Sequence, residues 1–322
     1  MKAAVLFQKG ELPQYADFSE PFPQNESQLL VSVKAVAIKH FDKGRAAGSH
    51  YSSEKPKQDG RVIGGDGVGL LENGTRVYGL GEGMLAEKAI IEKDRVVVLP
   101  AAVDDATAAA LPNAVIGSAM GLRFKAGIQP GDIVLINGAT GFTGRVAVQI
   151  AKHYGAGKVI VTGRNQQSLQ DLLKLGADEM ISLSQPDDDI ISLIKKIHAD
   201  SPLNIVVDYL WGHSAELIFS CLQGKGSFTA KTRYVSVGSI TGDQIQLSAA
   251  TLRSSDIQLS GSGLGSWSRD EVKKLFSEIL PQMFQLAAEG RLRVETVRVN
   301  LKDIAELWNL EVPDGRRLVV TI

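Results

Sequence analysis

Hydrophobic positions follow two different patterns along the chain. In the first hundred residues, short apolar runs stand between Gly, Pro and polar turns, at 29–37, 62–71 and 95–99. This pattern predicts short strands in a β-rich, barrel-like domain. From about Thr107 the pattern changes, and continuous apolar runs alternate with segments of helical period.

The second pattern predicts a parallel sheet. Strands are predicted at 132–136, 158–162, 179–182, 204–208 and 234–237, and helices at 143–154, 166–175, 188–198 and 215–222. Continuous apolar strands separated by helices are typical of a doubly wound α/β sheet that is buried on both faces. After about Gly265, a long amphipathic helix is predicted at 269–289 with a kink or break at Pro281. Strands at 294–299 and 318–322 flank a short helix at 301–310, and we expect this tail to pack on the first domain.

The turn between the strand at 132–136 and the helix at 143–154 carries the sharpest motif. It fits the dinucleotide fingerprint in an Ala-first form, Ala139-x-Gly141-x-x-Gly144. The first position makes a tight turn, the second lets backbone approach a pyrophosphate, and the third lets the helix pack close to the strand. The strand–turn–helix context that the motif requires is present, whereas the alternative is a tight turn without a ligand. The predicted cofactor-binding residues here are Ala139, Thr140, Gly141, Phe142, Thr143 and Gly144.

The end of the second strand of this unit indicates which dinucleotide is bound. An acidic residue there would hydrogen-bond the ribose hydroxyls of NAD. The chain instead has Thr162-Gly163-Arg164-Asn165 without a carboxylate. Because a guanidinium can hold a 2′-phosphate bidentately, Arg164 and Asn165 favour NADP(H). The alternative for Arg164 is a solvated loop charge.

The charge balance, the apolar stretches and the cysteine content limit the kinds of partner and site that the chain can have. The 35 basic and 36 acidic residues nearly cancel, giving a net charge of −1, which argues against nucleic acid or an anionic membrane as the main partner. The sequence has no uninterrupted apolar stretch of about 18 residues, so no membrane span is predicted. Its first residues do not resemble a signal peptide, and we therefore expect a cytoplasmic protein. The single cysteine, Cys221, excludes an internal disulfide framework and any multi-cysteine zinc site within one chain.

Several blocks resemble the medium-chain dehydrogenase/reductases. They are Leu135-Ile136-Asn137-Gly138-Ala139-Thr140-Gly141, Ala147-Val148-Gln149-Ile150-Ala151-Lys152, Leu175-Gly176-Ala177-Asp178 and Tyr234-Val235-Ser236-Val237-Gly238-Ser239. The resemblance implies a GroES-like catalytic domain at 1–112 and 265–322, with a Rossmann domain at 113–264 inserted in it. It also implies that substrate enters between the two domains, that Val237, Gly238 and Ser239 hold the nicotinamide half, and that the chain forms a homodimer through the edge strand of the Rossmann sheet.

The zinc ligands of the metal-dependent branch are not matched. Lys39 stands where the resemblance places the first Cys ligand, and Gly65 stands in place of the His. Because zinc prefers nitrogen and sulfur donors, no metal is expected. The same segment resembles the Asn-Pro-x-Asp of zinc-free quinone oxidoreductases, but Lys39-His40-Phe41-Asp42 keeps only the Asp.

A metal-free site suits hydride transfer to an acceptor that is already electrophilic. A quinone or an α,β-unsaturated carbonyl delocalises the incoming charge onto oxygen, so the protein supplies position and one or two donors. The candidate catalytic groups are Lys39, Tyr51 and His40. Each has a structural alternative: Lys39 paired with Asp42 or Asp66, Tyr51 as a surface or packing residue, and His40 as a structural histidine.

Two other functions stay open at this point. One is reduction of larger enoyl thioesters, which requires basic groups for a carrier phosphate. The other is an NADP(H)-binding redox sensor or interaction protein with little turnover, which the change at Lys39-His40 favours.

Overall fold

The computed structural model describes residues 1–49, 60–224, 226, 228–313 and 315–322. Within these ranges the chain divides into two compact units. The first unit contains Met1–Asn113 and Val272–Ile322, and the second contains Ala114–Glu271. The second unit is therefore an insertion in the sequence of the first.

The strands and helices, in chain order, have the following bounds. The strands are β1 (Lys2–Leu6), β2 (Gln14–Asp17), β3 (Gln28–Ala37), β4 (Arg61–Val62), β5 (Asp66–Leu70), β6 (Arg76–Leu80), β7 (Lys88–Glu92), β8 (Val96–Val98), β9 (Ile133–Asn137), β10 (Lys158–Gly163), β11 (Glu179–Ser182), β12 (Ile205–Asp208), β13 (Thr232–Ser236), β14 (Ile257–Gly261), β15 (Thr296–Asn300) and β16 (Arg317–Thr321). The α-helices are α1 (His40–Ala47), α2 (Asp105–Val115), α3 (Phe142–His153), α4 (Gln166–Lys174), α5 (Asp187–Asp200), α6 (Gly212–Leu222), α7 (Ala249–Ser254), α8 (Arg269–Lys274), α9 (Leu280–Ala288) and α10 (Ile304–Leu307). Two π-helical segments, Ile116–Lys125 and Leu275–Ile279, follow α2 and α8, and short 3₁₀ turns lie at Lys93–Arg95, Leu264–Ser266 and Leu301–Asp303.

The first unit is built on two sheets. A three-stranded sheet has the order β2-β1-β4, and a seven-stranded sheet has the order β15-β16-β3-β5-β6-β8, with β7 paired to β3. The long strand β3 places Val31, Val33 and Ala35 in the core, and Ser32 and Lys34 between them are exposed, as the period of two in a strand requires. β16 pairs with β3 through Val319, Val320 and Thr321, so a strand near residue 320 is part of this sheet.

The second unit is the predicted doubly wound sheet. Its six strands have the order β11-β10-β9-β12-β13-β14, and all of the neighbours are parallel. Its central strands are fully buried, for example at Val134, Val161 and Val206, which explains their continuous apolar sequences. Chain order runs in opposite directions on the two sides of β9, so the sheet has a switch point between β9 and β12.

Several features of the structure differ from the sequence prediction. The helix α2 and the π-helix after it, the edge strand β14, and the helix α1 that begins at His40 were not predicted. Pro281 does not break its helix. In a regular α-helix the ring of a proline clashes with the carbonyl four residues earlier, which here belongs to Ser277. Ser277 lies in the π-helical segment Leu275–Ile279, where the helix turn is wider, so the helix continues past Pro281.

No helix among the described residues combines the length and the apolar character needed to cross a membrane.

Candidate functional site

The fingerprint turn joins β9 to α3 in the second unit, and each of its glycines meets a different constraint. Gly138 has a φ of 84°, in the left-handed region that favours glycine. Gly141 precedes the helix with φ −75° and ψ 169°, is exposed, and a Cβ there would meet nothing within 4 Å. At Gly144 a Cβ would lie 2.6 Å from the backbone oxygen of Ala139. The turn is therefore tight at both ends and open to solvent in the middle.

This turn lies at the switch point of the parallel sheet. β9 pairs with β10 on one side and with β12 on the other, and α3 begins directly outside its carboxyl end. The first N–H groups of a helix have no partner within the helix and carry a partial positive charge. An anion such as a pyrophosphate is stabilised at such a position.

A buried carboxylate organises the same edge of the sheet. Asp208, at the end of β12, is fully buried, and its Oδ1 accepts hydrogen bonds from Asn137 Nδ2 at 2.8 Å and from the amides of Leu210 at 2.8 Å and Trp211 at 3.0 Å. Its Oδ2 accepts from the Tyr234 hydroxyl at 2.6 Å. A buried charge of this kind is tolerated only when its oxygens are satisfied. Asp208 therefore links the carboxyl ends of β9 and β12 to the middle of the neighbouring strand β13.

The network continues into the fingerprint turn. The Thr162 hydroxyl donates to Asn137 Oδ1 at 2.7 Å and accepts from the amide of Gly138 at 3.0 Å. Sequence analysis did not identify Asn137, Asp208 or Tyr234 as parts of the site. The signal that was available is polarity: Asn137 and Asp208 each end a predicted apolar strand.

The turn after β12, whose amides bind Asp208, has a strained backbone at Trp211. Trp211 has a φ of 59°, and no other non-glycine residue in the described ranges has a positive φ. Two bonds from Leu210 and Trp211 amides to Asp208 hold the strained turn, and the Trp211 ring packs edge-on against Phe219 and Tyr234 at 6.4 and 6.2 Å between centroids. Trp211 thus serves the core of the second unit.

The end of β10 carries the residues predicted to select the cofactor. Arg164 is exposed, and its backbone carbonyl accepts a bond from the Ser184 hydroxyl at 3.2 Å. The Asn165 side chain begins α4 by accepting from the amide of Ser168 at 2.8 Å. The Arg164 side chain is therefore the cation at this strand end, and Asn165 has a structural role in addition to any contact with a ligand.

The segment Val237-Gly238-Ser239 is fixed by β12. The amides of Val237 and Gly238 donate to the carbonyl of Asp208 at 2.7 and 3.1 Å. A Cβ on Gly117, in the π-helix, would lie 3.2 Å from both Thr143 Cγ2 and Val237 Cγ1, so the fingerprint helix and this segment converge on Gly117. The Gly117 carbonyl accepts from the buried Tyr209 hydroxyl at 2.8 Å.

In the first unit, Lys39 is buried among charged groups. Its side chain is 3% exposed and its Nζ contacts Asp42 Oδ2 at 3.2 Å and Asp66 Oδ1. Burial favours the neutral amine, but the two carboxylates outweigh it and raise the pKa of Lys39 above its ordinary value. Of the two roles considered for Lys39, the structure shows the pairing, and it involves Asp42 and Asp66 together.

The other two candidate catalytic groups lie near this cluster in the sequence. His40 is the first residue of α1, and its pKa is lowered by burial and by the positive charges of Arg317 and Lys43. The imidazole is therefore neutral at pH 7, and a neutral imidazole has one N–H group that can act as a donor. Tyr51 lies outside the described residues.

Comparisons with known proteins agree with this architecture. Residues 143–281 match the family model described as zinc-binding dehydrogenase. A protein of Emericella nidulans named as a probable NADPH-dependent quinone reductase is 26% identical, over 96% of this chain and 96% of its own length. A 2-methylene-furan-3-one reductase of Solanum lycopersicum is 32% identical, over 50% of this chain and 46% of its own length.

Solved structures agree on the fold. A quinone oxidoreductase of Thermus thermophilus, described together with its complex with NADPH, superposes with a TM-score of 0.82 at 23% identity, over 100% of both chains. In sequence and in fold the chain is similar to the quinone oxidoreductases of the medium-chain dehydrogenase/reductase superfamily. Its second unit has the Rossmann fold, and its first unit has the GroES-like fold.

The matching family model is described as zinc-binding dehydrogenase, so the metal-donor side chains of this chain bear directly on its chemistry. Among the described residues, no group of three or more His, Cys, Asp or Glu side chains could hold a metal ion. Gly65 offers no donor, and Lys39 brings a positive charge between the carboxylates of Asp42 and Asp66. Cys221 is buried in the Rossmann unit, with its Sγ 3.7 Å from the carbonyl of Ile191. These residues do not fit a zinc ion.

The geometry of the fingerprint turn gives a first prediction. Replacing Gly144 by Ala should lower the free energy of unfolding by about 1–3 kcal/mol, because the new methyl group meets the rigid backbone of Ala139. Gly141→Ala is the matched control and should change stability by less than about 1 kcal/mol, since its Cβ enters open space. Urea unfolding of both variants measures this difference. Equal stability of the two variants would contradict the close helix–strand packing.

Proposed function

We propose that this chain is a zinc-free, NADPH-dependent oxidoreductase that transfers hydride to a quinone or an α,β-unsaturated carbonyl compound. The observation that carries the proposal is the fingerprint turn at the switch point of the parallel sheet, with Gly141 exposed and unobstructed. The names of two relatives support the acceptor class: one is named as a probable NADPH-dependent quinone reductase, and the other as a reductase of 2-methylene-furan-3-one, which is by its structure an α,β-unsaturated ketone.

The described residues fit an NADP(H) molecule. The N-terminus of α3 and the open turn at Thr140 and Gly141 would bind the pyrophosphate. Arg164 would bind the 2′-phosphate, since it is an exposed cation at a strand end that carries no carboxylate. The backbone of Val237, Gly238 and Ser239 would bind the nicotinamide half.

Bound NADPH supplies the hydride, and the acceptor supplies its own electrophilic carbon. The remaining task of the protein is to orient the acceptor and to stabilise the negative charge that develops on its oxygen. Among the described candidates, the neutral imidazole of His40 is the group we assign to donate a hydrogen bond to that oxygen, and water supplies the proton that completes the reduction. Lys39 is 3% exposed and bonded to two carboxylates, which favours a supporting role.

The side chains present support a mechanism without zinc. A protonated lysine at the position of the first ligand repels a divalent cation, and a glycine replaces the imidazole. Without a metal to polarise an alcohol, the site is suited to reducing activated acceptors.

A second candidate function is an NADP(H)-binding redox sensor with little turnover. The burial of Lys39 favours it, because that residue offers no proton to a substrate while both carboxylates hold its ammonium. Binding of NADPH without consumption by any acceptor distinguishes this function from the first.

We also propose a homodimer formed through β14. In the described part of the chain, β14 pairs with β13 and forms one edge of the six-stranded sheet, and Leu259 on it is 44% exposed. An open edge of this kind can pair with an identical strand from a second copy.

The proposed activity predicts which acceptors are reduced. Purified protein should consume NADPH with benzoquinone or cyclohexenone, followed by the loss of NADPH absorbance, and should keep this activity after treatment with a metal chelator. A crotonyl thioester tests the enoyl thioester alternative in the same assay. Binding of NADPH without turnover of any acceptor would instead support the redox sensor.

Arg164 should determine the choice of cofactor. Arg164→Ala is expected to weaken NADPH binding about 10- to 100-fold, because a charge-assisted bond to the 2′-phosphate is lost, and to leave NADH binding unchanged. Calorimetric titration of both cofactors measures the effect. Lys174→Ala, which removes an exposed cation from the following helix, is the control and should bind as the wild type does. Equal losses for NADPH and NADH would show that Arg164 does not contact the 2′-phosphate.

The edge strand predicts the oligomeric state. Light scattering of the eluting protein should give twice the chain mass of 34.5 kDa. Leu259→Lys should shift the protein towards monomer, because a charge on an edge strand opposes pairing. Leu173→Lys, at a residue of α4 that is 42% exposed, should leave the dimer intact. A wild-type monomer, or a dimer insensitive to Leu259→Lys, would place the contact elsewhere or exclude it.

A further inference from the structure

The ammonium of Lys39 lies in a pocket of oxygen atoms inside the GroES-like unit. Asp42 and Asp66 supply the carboxylates that contact Nζ, and the hydroxyl of Tyr78 donates to Asp66 Oδ2 at 3.0 Å. All four side chains are buried, with residue exposures of 3% for Lys39, 7% for Asp42, 8% for Asp66 and 1% for Tyr78. Oxygen atoms that converge on one positive charge are the arrangement of a cation site.

The charges in this pocket depend on one another. Lysine and aspartate are rarely buried unless they are paired, because removing either charge from water is costly. Two carboxylates face Nζ, and a second cation, Arg317, interacts with both of them electrostatically. Burial lowers the pKa of Arg317 to about 10, which still leaves it charged at pH 7. Removing Nζ would leave a net negative charge in a buried space.

The pocket also ties together neighbouring elements of the seven-stranded sheet. Lys39 precedes α1 and follows β3, Asp66 begins β5, and Tyr78 lies in β6, which are consecutive neighbours in that sheet. Asp42 Oδ2 also accepts a bond from the backbone amide of Lys39 at 2.9 Å, which fixes the first turn of α1. His40 stands in that turn. The position of His40 therefore depends on Lys39 and its partners.

We propose that Lys39 is a built-in cation, whose ammonium fills a carboxylate pocket that would otherwise need a cation from solution. It stands where the sequence resemblance places the first zinc ligand, so a tethered charge takes the place of an exchangeable ion. Its role is that of a positioning residue for the first turn of α1. This proposal is independent of the cofactor and of the acceptor proposed above.

The test uses a cation added from solution. Lys39→Ala removes three carbons and the ammonium, which n-propylammonium reproduces. We expect Lys39→Ala in the full chain to lower the melting temperature by roughly 10 °C. Propylammonium chloride should restore at least half of the loss, and the restoration should saturate with concentration. Sodium chloride should not act in this way, and neither should tetramethylammonium, which has the charge but no N–H donor.

Two variants serve as controls for this experiment. Lys34→Ala removes an exposed lysine from β3 and should neither lower the melting temperature comparably nor respond to propylammonium. Lys39→Ala combined with Asp66→Asn removes one of the carboxylates, so its response to propylammonium should be lost or strongly reduced.

Three outcomes would overturn the proposal. They are a Lys39→Ala variant as stable as wild type, a loss that sodium chloride restores as well as propylammonium does, and a response that survives Asp66→Asn. If Lys39→Ala does not fold, the double variant Lys39→Met, Asp66→Asn provides the test, because the one carboxylate that remains, Asp42, is then balanced by Arg317. It should fold, because its charges balance without an added cation, and its failure to fold would also overturn the proposal.

Discussion

The candidate cofactor site depends on one buried carboxylate. Asp208 accepts four hydrogen bonds, from Asn137, Leu210, Trp211 and Tyr234, and through Asn137 and Thr162 it is linked to the amide of Gly138. A parallel sheet brings its carboxyl ends to one edge, where the backbone groups that leave the strands need partners. Asp208 supplies them at the switch point. Side chains outside the motif, Asn137 and Thr162, thus fix the start of the fingerprint turn.

Both units contain buried carboxylates, and the groups that bind these carboxylates differ between the two units. In the Rossmann unit, the buried charge of Asp208 is satisfied by neutral donors, including the Tyr234 hydroxyl at 2.6 Å. In the GroES-like unit, two buried carboxylates are satisfied by the Lys39 ammonium. Neutral donors fix geometry without adding charge, whereas an ion pair is stable only while both of its partners are present. The second arrangement is therefore the more sensitive to substitution.

Local sequence signals explain what could be predicted. The strands and helices of the Rossmann unit and the turn at 138–144 are encoded in continuous segments, and the structure confirms the doubly wound sheet. The partners of Lys39 and Asp208 depend on contacts between distant segments, since Asn137 and Asp208 are 71 positions apart. The sequence left both pairing partners of Lys39 open. The edge strand β14 carries exposed residues such as Leu259, so it lacks the apolar run that reveals a buried strand.

This difference explains why the cofactor is easier to infer than the acceptor. The candidate cofactor residues follow β9, β10 and β13 of one sheet, and each lies at a position that the alternation of strands and helices already indicates. The acceptor would be oriented by groups such as His40, whose position depends on the Lys39 pocket and thus on β3, β5 and β6 together. A change from Asn to Lys at one position alters the local chemistry from a neutral donor to a buried charge, and Asp66 must be present to accept it. The chemistry we propose at the acceptor end therefore depends on contacts of the assembled sheet, which the sequence alone does not reveal.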